Sequence, residues 1–428
     1  MVSNHIQELL DFLDGSRSVY HAIQCVIREL EKDGYQPVSE GQHWDLEKGG
    51  KYYLTRGKSS LVAFRVPLEE PVGFMMSASH SDRPTFKLKD YNHLKGEYTR
   101  LAVERYGGII LNSWLDRPLS VAGRVLVETE NGVESRLVDI DRDLMLMPSV
   151  AIHMNRKVNE GYAYNPGIDT IPLMGSEKSA GKLKALIEQA IDGKFLGHDL
   201  YLYVRQKATV WGLDEEYISA QALDDLQCTY GCAKGFLHAK ESRSVPVLAV
   251  LDSEEVGSCS AQGAGSTFLA DTLERICESC GWEYRKMLGH SFMVSADNAH
   301  ALHPNHPELA DPANAPKINE GVVLKYNGAL RYTTDGLSAA VFRKICARAD
   351  VPVQTYYNRP DIEGGATLGR ISLGKISIPT ADIGLPQLAM HSAYETSGVE
   401  DTEWLIKAMT VFFSTTLTVT GDGNYELS

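Results

Sequence analysis

The sequence has 428 residues, of which 43% are hydrophobic and 23% are charged. A globular chain of this length is expected to form two or three domains. Its 42 basic and 56 acidic residues give a net charge of -14, and so acidic a chain is repelled by nucleic acids and by anionic membrane surfaces. We therefore expect neither nucleic acid nor a membrane as a partner.

The amino-terminal segment and the cysteines indicate a cytoplasmic protein. The segment MVSNHIQELLDFLDGS lacks the basic region and long apolar stretch of a secretory signal. The apolar run at 245–251 has the length of a strand and is too short to cross a bilayer. Seven cysteines, an odd number in a long chain, do not resemble a secreted disulfide framework. The expected compartment is reducing and cytoplasmic.

The predicted elements begin with an amphipathic helix at 18–34, for which Ser18 is a suitable N-cap and Gly34 a suitable end. Short strands follow from about residue 52, with YYLTRG, SLVAFRV and VGFMMSASH as the first three. The segment 98–155 predicts more strands, among them YTRLAVERY, GGIILNSW and GRVLVETE. A helix with a polar face is predicted at 176–195.

Downstream of this point, helices and apolar strands alternate. The helices are predicted at 222–240, 266–280, 335–348 and 401–419, and the strands at 245–252, 290–297 and 371–379. Such alternation predicts an α/β fold in which helices cover a layered sheet. The β-rich middle of the chain, at roughly 92–205, interrupts the alternation and predicts an inserted domain.

Acidic and imidazole side chains follow directly on four of the apolar strands, and a further acidic residue opens a helix. They are His80 and Asp82 after VGFMMSAS, Glu254 and Glu255 after VPVLAVLDS, Asp297 after SFMVSA, His391 after IGLPQLAM, and Asp224 in AQALDD. Ligand sites in open α/β sheets lie beyond the carboxyl ends of the strands. These side chains are therefore expected to meet in one crevice.

The chemistry of this set favours a metal site. Imidazole nitrogen and carboxylate oxygen are the ligands of catalytic zinc. Two metals ~3.5–4 Å apart need a bridging carboxylate and about two terminal ligands each, a count that two histidines and three carboxylates meet. One residue of the adjacent glutamate pair can bind metal while the other accepts a proton from the attacking water. Taken alone, Asp224 could cap its helix and His80 could be a buried structural histidine, so the prediction rests on the whole set.

Ordered motifs over almost the whole chain resemble the aspartyl aminopeptidase and aminopeptidase I family of metallopeptidases. These motifs include LLDFLDGSRSVYHA (9–22), ASHSDRPTFKLK (78–89), YGGIILNSWLDRPLSVAGRV (106–125), PSVAIHMNRKVNEG (148–161), LDSEEVGS (251–258), SADNAHALHPNHP (295–307) and ADIGLPQLAMHS (381–392). The resemblance implies a three-layer, mixed-sheet zinc exopeptidase catalytic domain, formed by residues 1–91 and 206–428. It also implies that the β-rich insert at 92–205 is a dimerisation domain.

The resemblance implies a role for each candidate ligand. His80 and Asp297 would bind one zinc ion, and Glu255 and His391 would bind the other. Asp224 would bridge the two ions. The expected cofactor is therefore Zn2+, two ions per subunit, with Mn2+ or Co2+ as alternatives.

Three further residues have roles by the same resemblance. Glu254 would be the general base, and Asp82 would orient the ligand His80. His153, in AIHMNR, would reach the site of a neighbouring subunit and stabilise the oxyanion of the tetrahedral intermediate. The expected partners are short peptide substrates and further copies of the chain, assembled from dimers up to a tetrahedral dodecamer.

The preferred substrate is less constrained by the sequence. Members of the family prefer either acidic or neutral N-terminal residues, and an acidic chain needs a local basic group to accept Asp or Glu. Lys325 is the first candidate and Arg359 the second, although an ordinary surface lysine fits the pattern of Lys325 equally well. The evenly spaced His300, His303 and His306 are expected to serve loop packing.

Two other functions are compatible with the same residues. A related metal-dependent amidohydrolase or deacylase would use this ligand set to cleave N-acyl groups, and a comparison of free-amine with N-acetylated peptides separates it from an aminopeptidase. An assembled scaffold with a vestigial site is the other alternative. The intact ligand set and the presence of Glu254 disfavour that scaffold.

Overall fold

The computed structural model describes residues 4–94, 96–191 and 193–428. Within these ranges the chain forms nine α-helices and four sheets. The helices are α1 (Asn4–Gly15), α2 (Val19–Lys32), α3 (Lys182–Ala190), α4 (Leu223–His238), α5 (Phe268–Cys280), α6 (Tyr284–Leu288), α7 (Gly336–Arg348), α8 (Leu368–Leu373) and α9 (Asp401–Phe413).

The strands are numbered in chain order. The first half of the chain contains β1 (Gln36–Pro37), β2 (Lys51–Arg56), β3 (Ser60–Arg65), β4 (Gly73–His80), β5 (Thr85–Leu94), β6 (Tyr98–Tyr106), β7 (Leu119–Thr129), β8 (Gly132–Asp139), β9 (Leu173–Ser176), β10 (Lys194–Val204), β11 (Thr209–Trp211) and β12 (Tyr217–Ala220). The second half contains β13 (Ser244–Leu251), β14 (Phe292–Ala296), β15 (Ala299–His300), β16 (Val322–Tyr326), β17 (Val353–Tyr357), β18 (Thr380–Gly384), β19 (Pro386–Leu388), β20 (Glu395–Gly398), β21 (Leu417–Gly421) and β22 (Asn424–Leu427).

The central sheet has nine strands in the order β1-β2-β3-β13-β4-β14-β18-β16-β17. It is mixed: β13, β4, β14 and β18 run parallel to one another, whereas β3 and β16 run antiparallel to their neighbours in that block. Two smaller sheets have the orders β8-β7-β10-β5-β6-β9 and β11-β12-β20-β19-β15. A terminal hairpin of β21 and β22 completes the described part of the chain.

The central sheet is buried on both faces because its parallel strands are apolar throughout. In β13, Leu248 and Val250 pack into one core cluster, which also contains residues of α1, α2, α4, α7 and α9. The alternating residues Val247 and Ala249 pack into a second cluster on the other face, together with residues of α5, α6 and α8. Successive side chains of a strand point to opposite faces of the sheet. The result is the predicted three-layer arrangement of helices, sheet and helices.

The strand register brings the ends of β4, β13 and β14 to one edge of the central sheet. Leu251, the last residue of β13, pairs with His80, the last residue of β4. On the other side of β4, Ser295 of β14 pairs with Ala78. Because these three strands are parallel, their carboxyl ends meet at the same edge. The candidate residues that follow them must therefore lie near one another.

Most predicted elements are confirmed, and three are wrong. The expected strand at 371–379 is in fact α8 followed by a loop, because Leu368 and Ile371 lie three residues apart and pack together against one core cluster. The expected strand GGIILNSW is a loop that ends in a short 3-10 helix, Leu111–Trp114. The helix expected to reach residue 419 ends at Phe413, and β21 follows it.

The six-stranded sheet is built from residues between 85 and 204. An inserted domain at 92–205 stays a prediction, and it overlaps this sheet over most of its length. The sheet has a core of its own, in which Phe86, Val121 and Leu200 are buried. Among the described residues, no helix combines the length and the apolar composition that a bilayer crossing needs.

Candidate metal centre

The structure brings the five predicted ligands together at the edge where β4, β13 and β14 end. His80 is the last residue of β4, Asp297 follows β14 directly, and Glu255 follows β13 in a 3-10 turn. Asp224 lies at the start of α4, and His391 follows β19 with a φ of 67°. The side chains of His80, Asp224 and Glu255 are at most 4% exposed. The site therefore lies at the base of a crevice.

Asp224 lies between the two histidines. Its Oδ1 is 3.3 Å from Nε2 of His80, and its Oδ2 is 3.5 Å from Nε2 of His391. The same nitrogen of His391 is 3.4 Å from Oε2 of Glu255. Each oxygen of this one carboxylate thus faces a different histidine.

Three groups of side chains have ligand atoms that all lie within 4.8 Å of one another. The first consists of His80, Asp224 and Asp297, and the second of Asp224, Glu255 and His391. These two groups share Asp224, which is the arrangement expected of a bridging carboxylate. The third group combines His80 with Glu254 and Glu255, so the carboxylate of Glu254 also faces the centre.

Unpartnered oxygens indicate that these residues fit a metal. Oδ1 of Asp224 and Oε1 of Glu255 are buried and accept no hydrogen bond from a described residue, although Nε2 of His80 lies 3.3 Å from the first of them. Leaving a buried acceptor without a partner costs about 1–3 kcal/mol. Imidazole and carboxylate are also the ligand types that zinc accepts. A cation between the two groups would satisfy both oxygens.

The pKa shifts of the glutamate pair also indicate a site that a cation would stabilise. Burial raises the pKa of Glu254 to about 8; the negative charges of Asp297 and Asp82 act in the same direction, against the opposing effect of His80. Burial and the neighbouring carboxylates also raise the pKa of Glu255. So many buried carboxylates repel one another when no cation is near, and bound cations relieve this repulsion by favouring the ionised forms.

Asp82 connects the two strand ends behind the ligands. Its Oδ1 is 3.3 Å from Nδ1 of His80 and accepts the backbone N–H of Glu254 at 3.1 Å. Its Oδ2 accepts the backbone N–H of Glu255 at 3.2 Å and the hydroxyl of Tyr106 at 2.8 Å. The carboxylate therefore contacts the predicted ligand His80 and, at the same time, holds the backbone of the glutamate pair in place.

Glu395, which was not among the predicted site residues, holds the other side of the site. Its Oε2 accepts the backbone N–H of Asp224 at 3.0 Å, and its Oε1 accepts that of His391 at 2.7 Å. Burial raises the pKa of Glu395 to about 8, and the charge of Asp224 adds to the rise. The short distance in sequence from His391 to a further glutamate, in HSAYE, was the only signal available.

A cavity of about 330 Å3 opens onto the predicted ligands. Lys325, at 2% exposure, lies in its wall, so the alternative of an ordinary surface lysine is wrong. Its ammonium donates to the backbone carbonyl of Asp297 at 2.6 Å and lies 3.5 Å from Oδ1 of that residue. Burial disfavours the charge, but the effect of Asp297, added to those of Tyr332 and Asp382, outweighs burial and raises the pKa of Lys325. The ammonium therefore stays protonated.

The remaining predicted residues lie outside the two ligand groups. His300 belongs to the cavity wall, where its ring is 6.1 Å from that of Tyr356, whereas His303 and His306 contact each other in the loop. Arg359 forms a two-pronged ion pair with Asp361. His153 is an exposed residue of a loop and, among the described residues, is not part of the cavity wall.

The fold and the site together define a metal-dependent hydrolase: two histidine–carboxylate groups share one carboxylate beyond the ends of parallel strands. The model of the family described as aminopeptidase I zinc metalloprotease (M18) matches residues 12–413. The chain belongs to this family. It is accordingly an aminopeptidase, a hydrolase that acts on peptide bonds.

Individual relatives agree with this assignment. The chain is 41% identical over 423 residues to the probable M18 family aminopeptidase 2 of Clostridium novyi, a match that covers 95% of this chain and 98% of the relative. The structure of Chaetomium thermophilum mApe1 superposes with a TM-score of 0.85 at 30% identity, over 95% of this chain and 96% of that one. The S. cerevisiae mApe1 dodecamer gives a TM-score of 0.84 at 25% identity, over 96% of each chain.

Proposed function

We propose that this aminopeptidase uses two zinc ions to release single N-terminal residues from short peptides. The observation that carries the proposal is the pair of ligand groups that share Asp224. His80 and Asp297 would hold one ion, and Glu255 and His391 the other. Bound there, the two ions would polarise the scissile carbonyl and acidify the attacking water.

Glu254 is the proposed general base. It adjoins the ligand Glu255 in the 3-10 turn after β13, and its carboxylate lies in the same group as His80 and Glu255. From this position its oxygen can accept a proton from the attacking water and then donate it to the leaving amine. Asp82 keeps the backbone of the glutamate pair in place while the proton moves.

The cavity size and the position of Lys325 support a preference for acidic N-terminal residues. A volume of about 330 Å3 accommodates one side chain and the adjoining backbone rather than a folded chain. Among the described residues, Lys325 is the one lysine that lines this cavity, and its ammonium stays charged because Asp297 lies beside it. A preference for a neutral N-terminal residue is the alternative, because the ammonium of Lys325 already donates one hydrogen bond to the carbonyl of Asp297.

We further propose that the active enzyme is a homo-oligomer in which His153 completes the site of a neighbouring subunit. His153 lies in an exposed loop between Ile152 and Met154, which are 48% and 83% exposed. Apolar side chains so exposed are typical of a surface that a partner covers. The mApe1 structure described as a dodecamer supports assembly from dimers up to that size. A cytoplasmic location stays a prediction.

The test is the hydrolysis of Asp, Glu, Leu and Lys aminoacyl substrates by the wild type and the Glu254→Gln variant, with zinc content measured for both. We expect chelator-sensitive activity in the wild type. The variant should lose at least about 100-fold in kcat, as expected for general-base catalysis, but should retain its zinc. Cleavage of N-acetylated peptides in preference to free-amine peptides would favour a deacylase, and inactivity with zinc, manganese and cobalt would favour a scaffold.

A further inference from the structure

A segment that follows β6 of the six-stranded sheet lies against the metal centre. We call residues 106–113, YGGIILNS, the strap; it begins at the last residue of β6 and leads into the 3-10 helix at Leu111–Trp114. The proposed function assigns no role to it. It contacts Glu255 and His391 of one ligand group directly, and His80 of the other group through Asp82.

The first contact is made by the hydroxyl of Tyr106. It donates to Oδ2 of Asp82 at 2.8 Å, and Asp82 in turn contacts Nδ1 of His80 at 3.3 Å. The same carboxylate oxygen accepts the backbone N–H of Glu255. The Tyr106 ring packs edge-on against that of Tyr201 in β10, with centroids 5.6 Å apart. The hydroxyl is therefore held in place by the six-stranded sheet.

The two glycines of the strap approach the ligands themselves. Gly107 has a φ of +77°, and a Cβ there would lie 3.1 Å from the Cβ of Glu255. A Cβ on Gly108 would lie 3.4 Å from Nδ1 of His391. Two residues further on, the backbone N–H of Ile110 donates to the carbonyl of His391 at 3.1 Å. The strap thus contacts Glu255, which follows β13, and His391, which follows β19.

These contacts have a common consequence. A ligand can hold a metal well only if its side chain is already oriented, and partners outside the ligand set supply that orientation. Here Asp82 lies just before β5 and the strap begins at the end of β6, and these two ends pair with each other through Thr85 and Tyr106. The predicted ligands are therefore fixed between the central sheet and one edge of the six-stranded sheet. We propose that Tyr106 is a positioning residue, through which the six-stranded sheet sets the zinc affinity of the centre. This inference rests on the proposed two-zinc function.

The test is a zinc titration of the full-length protein after its metal has been removed by a chelator. Zinc affinity is read by competition with a chelating dye, and kcat and KM are measured after reconstitution. For Tyr106→Phe we expect about tenfold weaker zinc binding, by analogy with other partners of metal ligands, and a loss in kcat at nearly constant KM. The phenyl ring keeps its packing, so the variant is expected to fold.

Tyr203→Phe is the matched control. Its buried hydroxyl, also in the six-stranded sheet, donates to Oδ1 of Asp139 at 2.7 Å, and neither residue belongs to the metal centre. The variant removes a bond of the same kind, so it should lower the melting temperature about as much as Tyr106→Phe but leave zinc affinity unchanged. Zinc affinity of Tyr106→Phe within twofold of the wild type, or equal losses in both variants, would overturn the proposal.

A second pair of variants tests the strap without changing Tyr106. Gly107→Ala should weaken zinc binding because its new Cβ presses on Glu255. Gly423→Ala has nearly the same φ, +76°, but no neighbour within 4 Å of the new Cβ, and it should bind zinc like the wild type. Equal zinc affinities for this pair would count against the inference. A wild type that binds no zinc at all would contradict the proposed function itself, and the role of Tyr106 would fall with it.

Discussion

The packing of α4 against α9 predicts that replacing Gly235 by alanine destabilises the protein, although alanine alone would favour the helix. Gly235 lies inside α4, where alanine is ordinarily preferred to glycine by about 1 kcal/mol. A Cβ at this position would lie 2.5 Å from the Cβ of Met409, 2.9 Å from its carbonyl carbon and 3.0 Å from the nitrogen of Thr410. Carbon atoms in contact prefer a separation of about 3.5–4.0 Å, so the two helices would have to separate by about 1 Å.

The magnitude follows from these two opposing effects. Overpacking a core costs about 1–3 kcal/mol, and the upper end applies because two of the three atoms belong to the backbone of α9, which has little freedom to move. Subtracting the helix preference of about 1 kcal/mol leaves a net loss of about 2 kcal/mol for Gly235→Ala.

The assay is urea denaturation followed by circular dichroism, at fixed protein and zinc concentrations. Gly336→Ala is the control, since Gly336 begins α7 and a Cβ added there would have no atom within 4 Å; this variant should be as stable as the wild type or slightly more stable. A Gly235→Ala protein at least as stable as the wild type would refute the close approach of α4 and α9.

Three further predictions concern the site. Removing zinc should lower the melting temperature, and zinc at about 100 times its dissociation constant should restore about 2.7 kcal/mol of stability; unchanged melting after verified removal would contradict the proposed centre. Lys325→Met should lower kcat/KM for Asp and Glu substrates at least about tenfold more than for Leu. Equal losses for all substrates, together with weaker zinc binding, would mean that Lys325 only positions Asp297 and does not select the substrate. The His153→Ala and Glu254→Gln variants should each be inactive, but subunits of the two mixed during assembly should regain part of the activity, because a mixed pair contains one site with both residues intact. Native mass spectrometry checks that the subunits exchange. If they exchange and no activity returns, His153 does not act in the neighbouring site.

Local sequence determined the chemistry of the candidate site. An apolar run such as VPVLAVL forms a strand that is buried on both faces, and polar residues directly after it must lie at the edge of the sheet. His80, Glu255 and Asp297 could therefore be placed near one another without coordinates. Short apolar segments were ambiguous, as the helix α8 shows: Leu368 and Ile371 fit a strand or a helix until the core face they cover is known.

The tertiary structure decided which groups hold these residues in place. Glu395 binds the backbone of Asp224 across 171 positions of sequence, and the strap reaches Asp82 and His391 from another sheet. It also decided that Lys325 is buried against Asp297 and that Gly235 must lack a side chain. Periodicity reports only which face of an element is apolar, whereas these contacts depend on how distant elements are placed in space. No local pattern in the sequence encodes that placement.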